Sequence, residues 1–240
     1  MKFKFIKMQA CGNDYIYLFN PFKTEDELKK FALFASDRRF GIGSDGIIAI
    51  ESSARADIKM VMYNADGSRG AMCGNGVRCA AFFVNKYADV KNNSVTVETD
   101  CGVVSVKLTD IKSRSCTAQA AMPFPREYIS SQKVAAALLS AGVKIDKGDI
   151  FAVDVGNKHL VVFGGEKSAE FMAKKAEESG LFVGGVNVER CEETARGARV
   201  EVYERGSGYT FACGSGAVAA AKALSLRRGG DKFEIIMRGG

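Results

Sequence analysis

Two segments of the chain repeat each other, and this repeat determines how the chain is organised. The first is "YNADGSRGAMCGNGVRCAAFF" at residues 63–83, and the second is "YERGSGYTFACGSGAVAAAKA" at residues 203–223. In both segments a cysteine follows the tyrosine by ten residues and opens a Cys-Gly-x-Gly motif. We therefore expect that one half-chain fold is used twice.

A second pair of segments has the same relation. "CGNDYIYLF" at residues 11–19 and "VGNKHLVVF" at residues 155–163 both contain Gly-Asn, with Phe six residues after the Asn. The Asn precedes the motif cysteine of its own half by 60 residues in the first half and by 56 in the second. Because two separate motifs align at nearly equal spacing, we predict two domains, residues 1–115 and residues 116–240.

Composition and charge exclude several classes of protein. The chain has 240 residues, of which 47% are hydrophobic and 26% charged, and no apolar run is long enough to span a membrane. The N-terminal "MKFKFIKMQ" alternates apolar and basic residues, which predicts a strand rather than a signal peptide. We expect a cytoplasmic protein with no membrane partner. The net charge of +6 comes from scattered basic residues, so we also expect no nucleic-acid partner.

The cysteines do not form a metal-binding pattern. There are seven of them, with no C-x-x-C pair and a single histidine in the chain. An odd number argues against a disulfide framework, and a cytoplasmic location favours reduced thiols. We therefore predict no metal site.

The remaining patterns predict an α+β fold. "TEDELKKFALFA" opens with a capping box, Thr24 and Glu27, and continues as a helix. "NSVTVET" and "GVVSVKLT" predict a hairpin that turns at residues 100–102. The segments after the two motif cysteines, "GVRCAAFFV" and "GAVAAAKALSL", are apolar almost all round, so each predicts a helix buried on all sides. We infer two pseudo-symmetric domains, each a curved, mostly antiparallel sheet wrapped around a central helix.

The start of each of these buried helices suits an anion. The first N–H groups of a helix have no intrahelical partner, the helix dipole is positive there, and glycines let a ligand approach the backbone. We expect a carboxylate to bind at this point and the adjacent thiol to have a lowered pKa. A buried, inert cysteine is an equal alternative for either motif alone, but the duplication favours a function.

Two such thiols acting on one carbon would invert a stereocentre. One thiolate would remove the proton from the carbon next to the carboxylate, and the other thiol would deliver a proton to the opposite face. The two helix ends would stabilise the charge that develops on the carboxylate. This reaction requires no cofactor, and we predict none.

The motifs together resemble the diaminopimelate epimerase family, from about Phe5 to about Ala221. The segments that carry the resemblance are "CGNDY", "FGIGSDG", "YNADGS", "MCGNGVRC", "GNKH", "VNVE", "YERGSGYT" and "ACGSGA". The resemblance implies a PLP-independent isomerase of lysine and peptidoglycan biosynthesis that interconverts LL- and meso-2,6-diaminopimelate. It implies an active site between two similar domains, a small amino-acid substrate as partner, and it leaves a homodimer open.

The resemblance also implies a role for individual residues. By motif, Cys73 and Cys213 would be the acid and base, while His159 and Glu204 would orient them and hold the reacting amino end. The residues that would bind substrate are Asn13, Asn64, Gly74, Asn75, Asn157, Asn187, Glu204, Arg205, Gly214 and Ser215. Glu204 and Arg205 occupy the repeat position of Asn64 and Ala65, an asymmetry expected if one half recognises the distal end of a two-headed substrate.

Some positions depart from the family pattern, and other functions remain open. "GNKH" stands for the usual "GNPH", "CGSG" for "CGTG", and Gly46 for a glutamine found in some members. Family members also usually continue through further strands after the position of Gly240. The alternatives are a racemase or isomerase of another amino acid on the same fold, histidine racemase-like or PhzF-like, a non-catalytic scaffold, and an RNA-binding module.

Overall fold

The chain forms two compact units, Met1–Ala121 and Met122–Gly240. The computed structural model describes residues 4–88 and 92–240. The strand predicted for the N-terminus is present from Ile6, while residues 1–3 lie outside the described residues. No helix in the described ranges has the length and apolar character that a membrane span requires.

The first unit contains one mixed sheet and two helices among its described residues. Its elements are β1 (Ile6–Ala10), β2 (Asn13–Phe19), α1 (Glu25–Ser36), β3 (Gly46–Glu51), β4 (Ile58–Asn64), β5 (Arg69–Gly70), α2 (Gly74–Tyr87), β6 (Ser94–Thr99), β7 (Gly102–Thr109) and β8 (Thr117–Ala120). The strand order is β1-β2-β3-β4-β6-β7-β8, with β5 paired to β4. The pairs β2–β3 and β4–β6 are parallel and the others are antiparallel, so the sheet is mostly antiparallel.

Helix α2 is the centre of this unit. It contacts β1 and β8, which are the two ends of the strand order, as well as β2, β3, β6 and β7. A sheet can touch one helix with both of its ends only if it curves around that helix. Residues 75–84 of α2 are buried, apart from the half-buried Arg78. The prediction of a buried central helix is therefore confirmed here.

The second unit repeats the first part of this topology. Its elements are β9 (Arg126–Ile129), α3 (Ser131–Ser140), β10 (Ile150–Asp154), β11 (Lys158–Phe163), α4 (Ala169–Glu178), β12 (Asn187–Glu193), β13 (Gly197–Glu204), β14 (Gly208–Thr210), α5 (Gly214–Arg228) and β15 (Glu234–Ile236). The strand order is β14-β13-β12-β11-β10-β9, and β15 pairs in parallel with β13. Strands β10 to β13 match β1 to β4 in order and direction, including the parallel pair β11–β12.

Helix α5 is less enclosed than α2. It packs against β10, β11, β12, β13 and β15, and Ala219, Ala220, Ala223 and Leu224 are buried. The side that carries Val218 is only half-buried. The reason is topological: β15 corresponds to β6, and no strand after β15 is described, whereas β7 and β8 follow β6 in the first unit. The sequence pattern predicts a helix that is buried on all sides, whereas α5 is fully buried on one side only.

The local predictions for single elements are confirmed. Thr24 caps α1 through a complete capping box, in which its hydroxyl accepts from the Glu27 N–H and the Glu27 carboxylate accepts from the Thr24 N–H. Strands β6 and β7 form the predicted hairpin, with Thr99 paired to Gly102.

Candidate active site

The two motif cysteines occupy the same position, the N-cap of a helix. Cys73 precedes α2 with φ −132° and ψ 119°, and Cys213 precedes α5 with φ −126° and ψ 116°. In both cases Sγ accepts a hydrogen bond of 3.3 Å from the backbone N–H three residues later, that of Gly76 or Gly216. Each thiol therefore does the work that a serine or aspartate side chain does at most helix N-termini.

The residues predicted to hold a carboxylate come immediately after the two cysteines in the chain. Gly74 and Asn75 open α2, and Gly214 and Ser215 open α5, so their N–H groups belong to the first turn, which a helix leaves outside its own ladder. The positive end of the helix dipole adds to the attraction for an anion. The Ser215 hydroxyl lies 3.4 Å from Cys213 Sγ. The sequence prediction of two anion-attracting helix ends is therefore matched by the backbone of each unit.

The second glycine of each motif is required by a close neighbour. A Cβ at Gly76 would lie 2.6 Å from Cδ1 of Ile48, and a Cβ at Gly216 would lie 2.5 Å from Oε1 of Glu189. Both separations are far below van der Waals contact. A side chain from a neighbouring strand thus fills the space over each first turn, and that side chain is apolar in one unit and acidic in the other.

Strand register shows that these neighbours are repeat equivalents. Tyr15 on β2 pairs with Gly46 on β3, and His159 on β11 pairs with Asn187 on β12, both in parallel register. Two residues further along the second strand of each pair lie Ile48 and Glu189. The pair Tyr15 and Ile48 therefore corresponds to His159 and Glu189. The second unit therefore has an imidazole and a carboxylate at the positions that hold a phenol and an aliphatic side chain in the first unit.

The Cys73 sulfur contacts a polar side chain. Its Sγ donates to Oδ1 of Asn13 at 3.3 Å, and Nδ2 of Asn13 donates to Asp45 at 2.9 Å. Tyr15 is buried beside the thiol, and burial, together with the neighbouring Cys73, raises the pKa of its phenol well above the usual value. The structure thus brings together Asn13 and Cys73, which were predicted from separate motifs.

Arg78 fixes this helix end, while Asn64 bonds within its own hairpin. The Arg78 guanidinium donates to the Gly74 carbonyl at 3.1 Å and to the Asn75 side chain, which fixes the first turn of α2. The sequence analysis did not single out Arg78, although its spacing of three and four residues from these partners is that of helix neighbours. Asn64, at the end of β4, donates to the Ser68 hydroxyl at 2.9 Å within its own hairpin.

Cys213 lies in a cluster with His159 and Glu189. One ring nitrogen, one carboxylate oxygen and Sγ lie within 4.8 Å of one another. Nδ1 of His159 and Oε1 of Glu189 are 2.7 Å apart, and both side chains are completely inaccessible. Because an ionised carboxylate oxygen can only accept, Nδ1 of His159 is then the donor of this bond, and in the Nδ1–H tautomer of the neutral ring Nε2 carries the lone pair.

Glu189 is the site residue that the sequence analysis missed. It belongs to the segment "VNVE", in which the family resemblance implies a role for Asn187 alone. The available signal was the two-residue period of a strand, which places Glu189 on the same face as Asn187.

The pKa of Cys213 is shifted in the direction opposite to the predicted shift. Burial raises it well above the ordinary value, and the carboxylates of Glu204 and Glu189 raise it further, against smaller effects of the hydrogen bonds from Ser215 and Gly216. The lowered pKa predicted from the helix N-terminus is therefore wrong for this residue. Burial also raises the pKa of Glu204, whose carboxylate accepts from Thr210 at 2.6 Å.

Asn187 joins the two predicted motifs of the second unit. Its Nδ2 donates to the Lys158 carbonyl at 3.1 Å, and its Oδ1 accepts from the Arg205 N–H at 2.9 Å. The side chain of Arg205 is exposed, and its stem passes close to Gly185, where φ is +82°. Asn157 is exposed in the turn between β10 and β11. Asn187 thus holds the backbones around His159 and Glu204 in place.

Solved structures with the same fold are racemases and related proteins. A probable proline racemase from Agrobacterium radiobacter K84 matches with a TM-score of 0.67 and 14% identity over 98% of this chain and 81% of its own. A predicted epimerase from Pseudomonas aeruginosa matches with a TM-score of 0.67 and 11% identity over 95% and 83%. A phenazine biosynthesis protein of the PhzF family from Bacillus anthracis has a TM-score of 0.62 and 15% identity over 93% and 79%. These similarities show the fold, and the predicted α+β class is confirmed.

Sequence relatives are more specific. The diaminopimelate epimerase of Agathobacter rectalis is 35% identical over 99% of this chain and 89% of its own length. That of Desulfovibrio desulfuricans is 36% identical over 99% and 88%. A family model described as diaminopimelate epimerase matches residues 5–122 and 151–240. On these grounds the chain belongs to the diaminopimelate epimerase family.

Proposed function

We propose that the protein epimerises 2,6-diaminopimelate between its LL and meso forms, with Cys73 and Cys213 as the two acid/base groups and no cofactor. Family membership makes the protein an isomerase, and the substrate is the one that the names of the relatives carry. The observation that best supports the two-base assignment is the matching geometry of the two cysteines, each an N-cap whose sulfur accepts from the third backbone N–H of its helix.

The reaction would proceed by proton exchange at one carbon. A thiolate takes the proton of Cα, so the C–H bond breaks and an S–H bond forms, while the electron pair remains on the carbon and delocalises into the carboxylate. The second thiol then gives its proton to the opposite face and becomes the thiolate. Helix N-termini suit the carboxylate whose charge increases in this step.

The raised pKa of Cys213 suggests which group holds the proton at rest. Buried beside two carboxylates, this sulfur remains a thiol in the free protein and serves as proton donor to an incoming substrate. His159 and Glu204 would hold the reacting amino end of the substrate and orient the cysteines, as the family resemblance implies. We also propose that the substrate is contacted by Asn13, Asn64, Asn157, Asn187 and Arg205. A cytoplasmic location and a homodimer are part of the same proposal.

The test is solvent exchange at Cα. Incubation of LL-diaminopimelate in heavy water should give meso product that carries one deuterium at the inverted centre, with no PLP absorbance and no loss of activity on chelation. Histidine and other amino acids serve as competing substrates. Exchange with one of these and none with diaminopimelate would favour the alternative of a different racemase.

Variants test the two-base assignment. Cys73→Ser and Cys213→Ser should each lower turnover by roughly 10²–10⁴-fold, the usual contribution of a positioned acid or base. Cys101→Ser is the matched control, because Cys101 is exposed in the β6–β7 turn. Near-normal turnover in either of the first two variants would contradict the assignment.

A further inference from the structure

We propose that Cys213, His159 and Glu189 form a binding site for a Zn²⁺ ion, and that the bound ion inhibits the protein rather than serving it as a cofactor. The three side chains offer sulfur, nitrogen and oxygen ligand atoms within 4.8 Å of one another. A thiolate, an imidazole and a carboxylate are the ligands that Zn²⁺ takes in proteins, and three of them leave the fourth tetrahedral position to water.

Two buried polar atoms without a hydrogen-bond partner support the metal site independently of the ligand spacing. Nε2 of His159 and Oε2 of Glu189 are inaccessible to solvent and have no hydrogen-bond partner among the residues that the structure describes. Both side chains are 0% exposed. Buried polar atoms without a partner in the chain are rare and point to a bound water or ion. A cation would satisfy lone pairs that no donor of the described residues reaches.

The charge of the cluster also favours a cation. The Glu189 carboxylate is part of the cluster, and Glu204 ends the neighbouring strand β13. Within residues 4–88 and 92–240, neither carboxylate forms an ion pair with a lysine or arginine side chain, and the only ion-pair partner of Glu189 is His159. A buried carboxylate without a full counter-charge is costly, and a divalent ion would compensate that of Glu189.

The required movement is small. In a tetrahedral zinc shell the ligand atoms are about 3.3–3.6 Å apart, given Zn–N, Zn–O and Zn–S bonds of about 2.0–2.3 Å. The present spacing of at most 4.8 Å has to contract by no more than about 1.2–1.5 Å. The ion would replace the thiol proton, so binding releases that proton to solvent.

The first unit provides the internal control. Cys73 has the same backbone geometry and the same capping hydrogen bond, but the positions of His159 and Glu189 are taken by Tyr15 and Ile48. Metal affinity that depended on a helix-capping thiol alone would be equal in both units. If metal affinity depends on the cluster, the metal binds at Cys213 and not at Cys73.

The decisive experiment uses Co²⁺ as a spectroscopic substitute for Zn²⁺, with the untagged protein. Cys73→Ala should retain a thiolate-to-cobalt charge-transfer band at one ion per chain, displaced by Zn²⁺, whereas Cys213→Ala should lose it. Glu189→Gln should weaken binding by roughly tenfold or more. A band that persists in Cys213→Ala, or that is absent from both the wild-type protein and Cys73→Ala, overturns the proposal.

A second measurement needs no variant. Zn²⁺ should slow the alkylation of Cys213 in the wild-type protein and leave that of Cys73 unchanged, as resolved by peptide mapping. Equal protection of both thiols, or of neither, counts against the site. Inhibition of epimerisation by Zn²⁺, and its reversal by a chelator, rests on the proposed function. A protein that binds cobalt with this dependence on Cys213 but does not epimerise diaminopimelate supports the metal site and refutes that function.

Discussion

Removing the charge of Glu189 should make Cys213 more acidic. Glu189→Gln keeps the size of the side chain and leaves an oxygen that can accept from Nδ1 of His159. What it removes is a negative charge buried near the thiol, one of the causes of the raised pKa of Cys213. The thiolate should therefore form at lower pH in the variant than in the wild-type protein.

The magnitude follows from the distance. The Glu189 oxygen and the Cys213 sulfur lie within 4.8 Å of each other, and two unit charges at that limit interact by about 3.5 kcal/mol at an effective dielectric constant of about 20. Cys213 is 8% exposed, so solvent screens part of this interaction. We expect a thiolate fraction at least roughly tenfold higher at a given pH, equivalent to about 1.4 kcal/mol.

The assay is alkylation by iodoacetamide, followed peptide by peptide from neutral to alkaline pH. The reactive species is the thiolate, so the rate profile of Cys213 should move to lower pH in the variant. Glu192→Gln is the matched control, since Glu192 is exposed on the same strand. A Cys213 rate in Glu189→Gln that is no higher than in the control would refute the electrostatic reasoning.

Two other predictions concern single side chains. Thr24→Ala should lower the free energy of unfolding by about 1 kcal/mol in urea titrations. Ser130→Ala should lower it by less, because Ser130 makes no side-chain cap bond to α3. Equal losses in the two variants would contradict the capping argument. On the proposal that Arg205 binds the distal carboxylate, Arg205→Met should raise KM for diaminopimelate roughly tenfold or more, because such a contact is charge-assisted. Arg199→Met, an exposed change on β13, the strand that ends just before Arg205, should leave KM unaltered, and an unchanged KM in Arg205→Met would point to a different substrate.

Features set by local sequence could be predicted. The capping box of α1, the β6–β7 hairpin and the two helices after the cysteines each depend on residues within a few positions of one another. The internal repeat extended this reach, because equal motifs at equal spacing imply the same strand pairing in both halves. Asn13 and Cys73 could therefore be assigned to one site from their motifs, and their side chains are hydrogen-bonded to each other.

Features set by distant strands could not. In "NVERCEE" the glutamates resemble an exposed, charged strand, and only the pairing of β12 with β11 and β13 reveals that Glu189 is buried. The raised pKa of Cys213 has the same origin, because burial of the thiol, and after it the carboxylates on strands β12 and β13, outweigh the local helix dipole. The half-buried side of α5 likewise depends on how many strands cover it.

The capping hydrogen bonds give each half of the molecule its own reporter. A thiolate accepts a hydrogen bond more strongly than a thiol does, so the backbone amides of Gly76 and Gly216 sense the charge on the sulfur that each of them contacts. In an NMR spectrum these two glycine amide resonances would shift in opposite directions whenever a proton passed from one cysteine to the other. The two backbone amides would thus report which cysteine carries the proton, with no label attached to either sulfur.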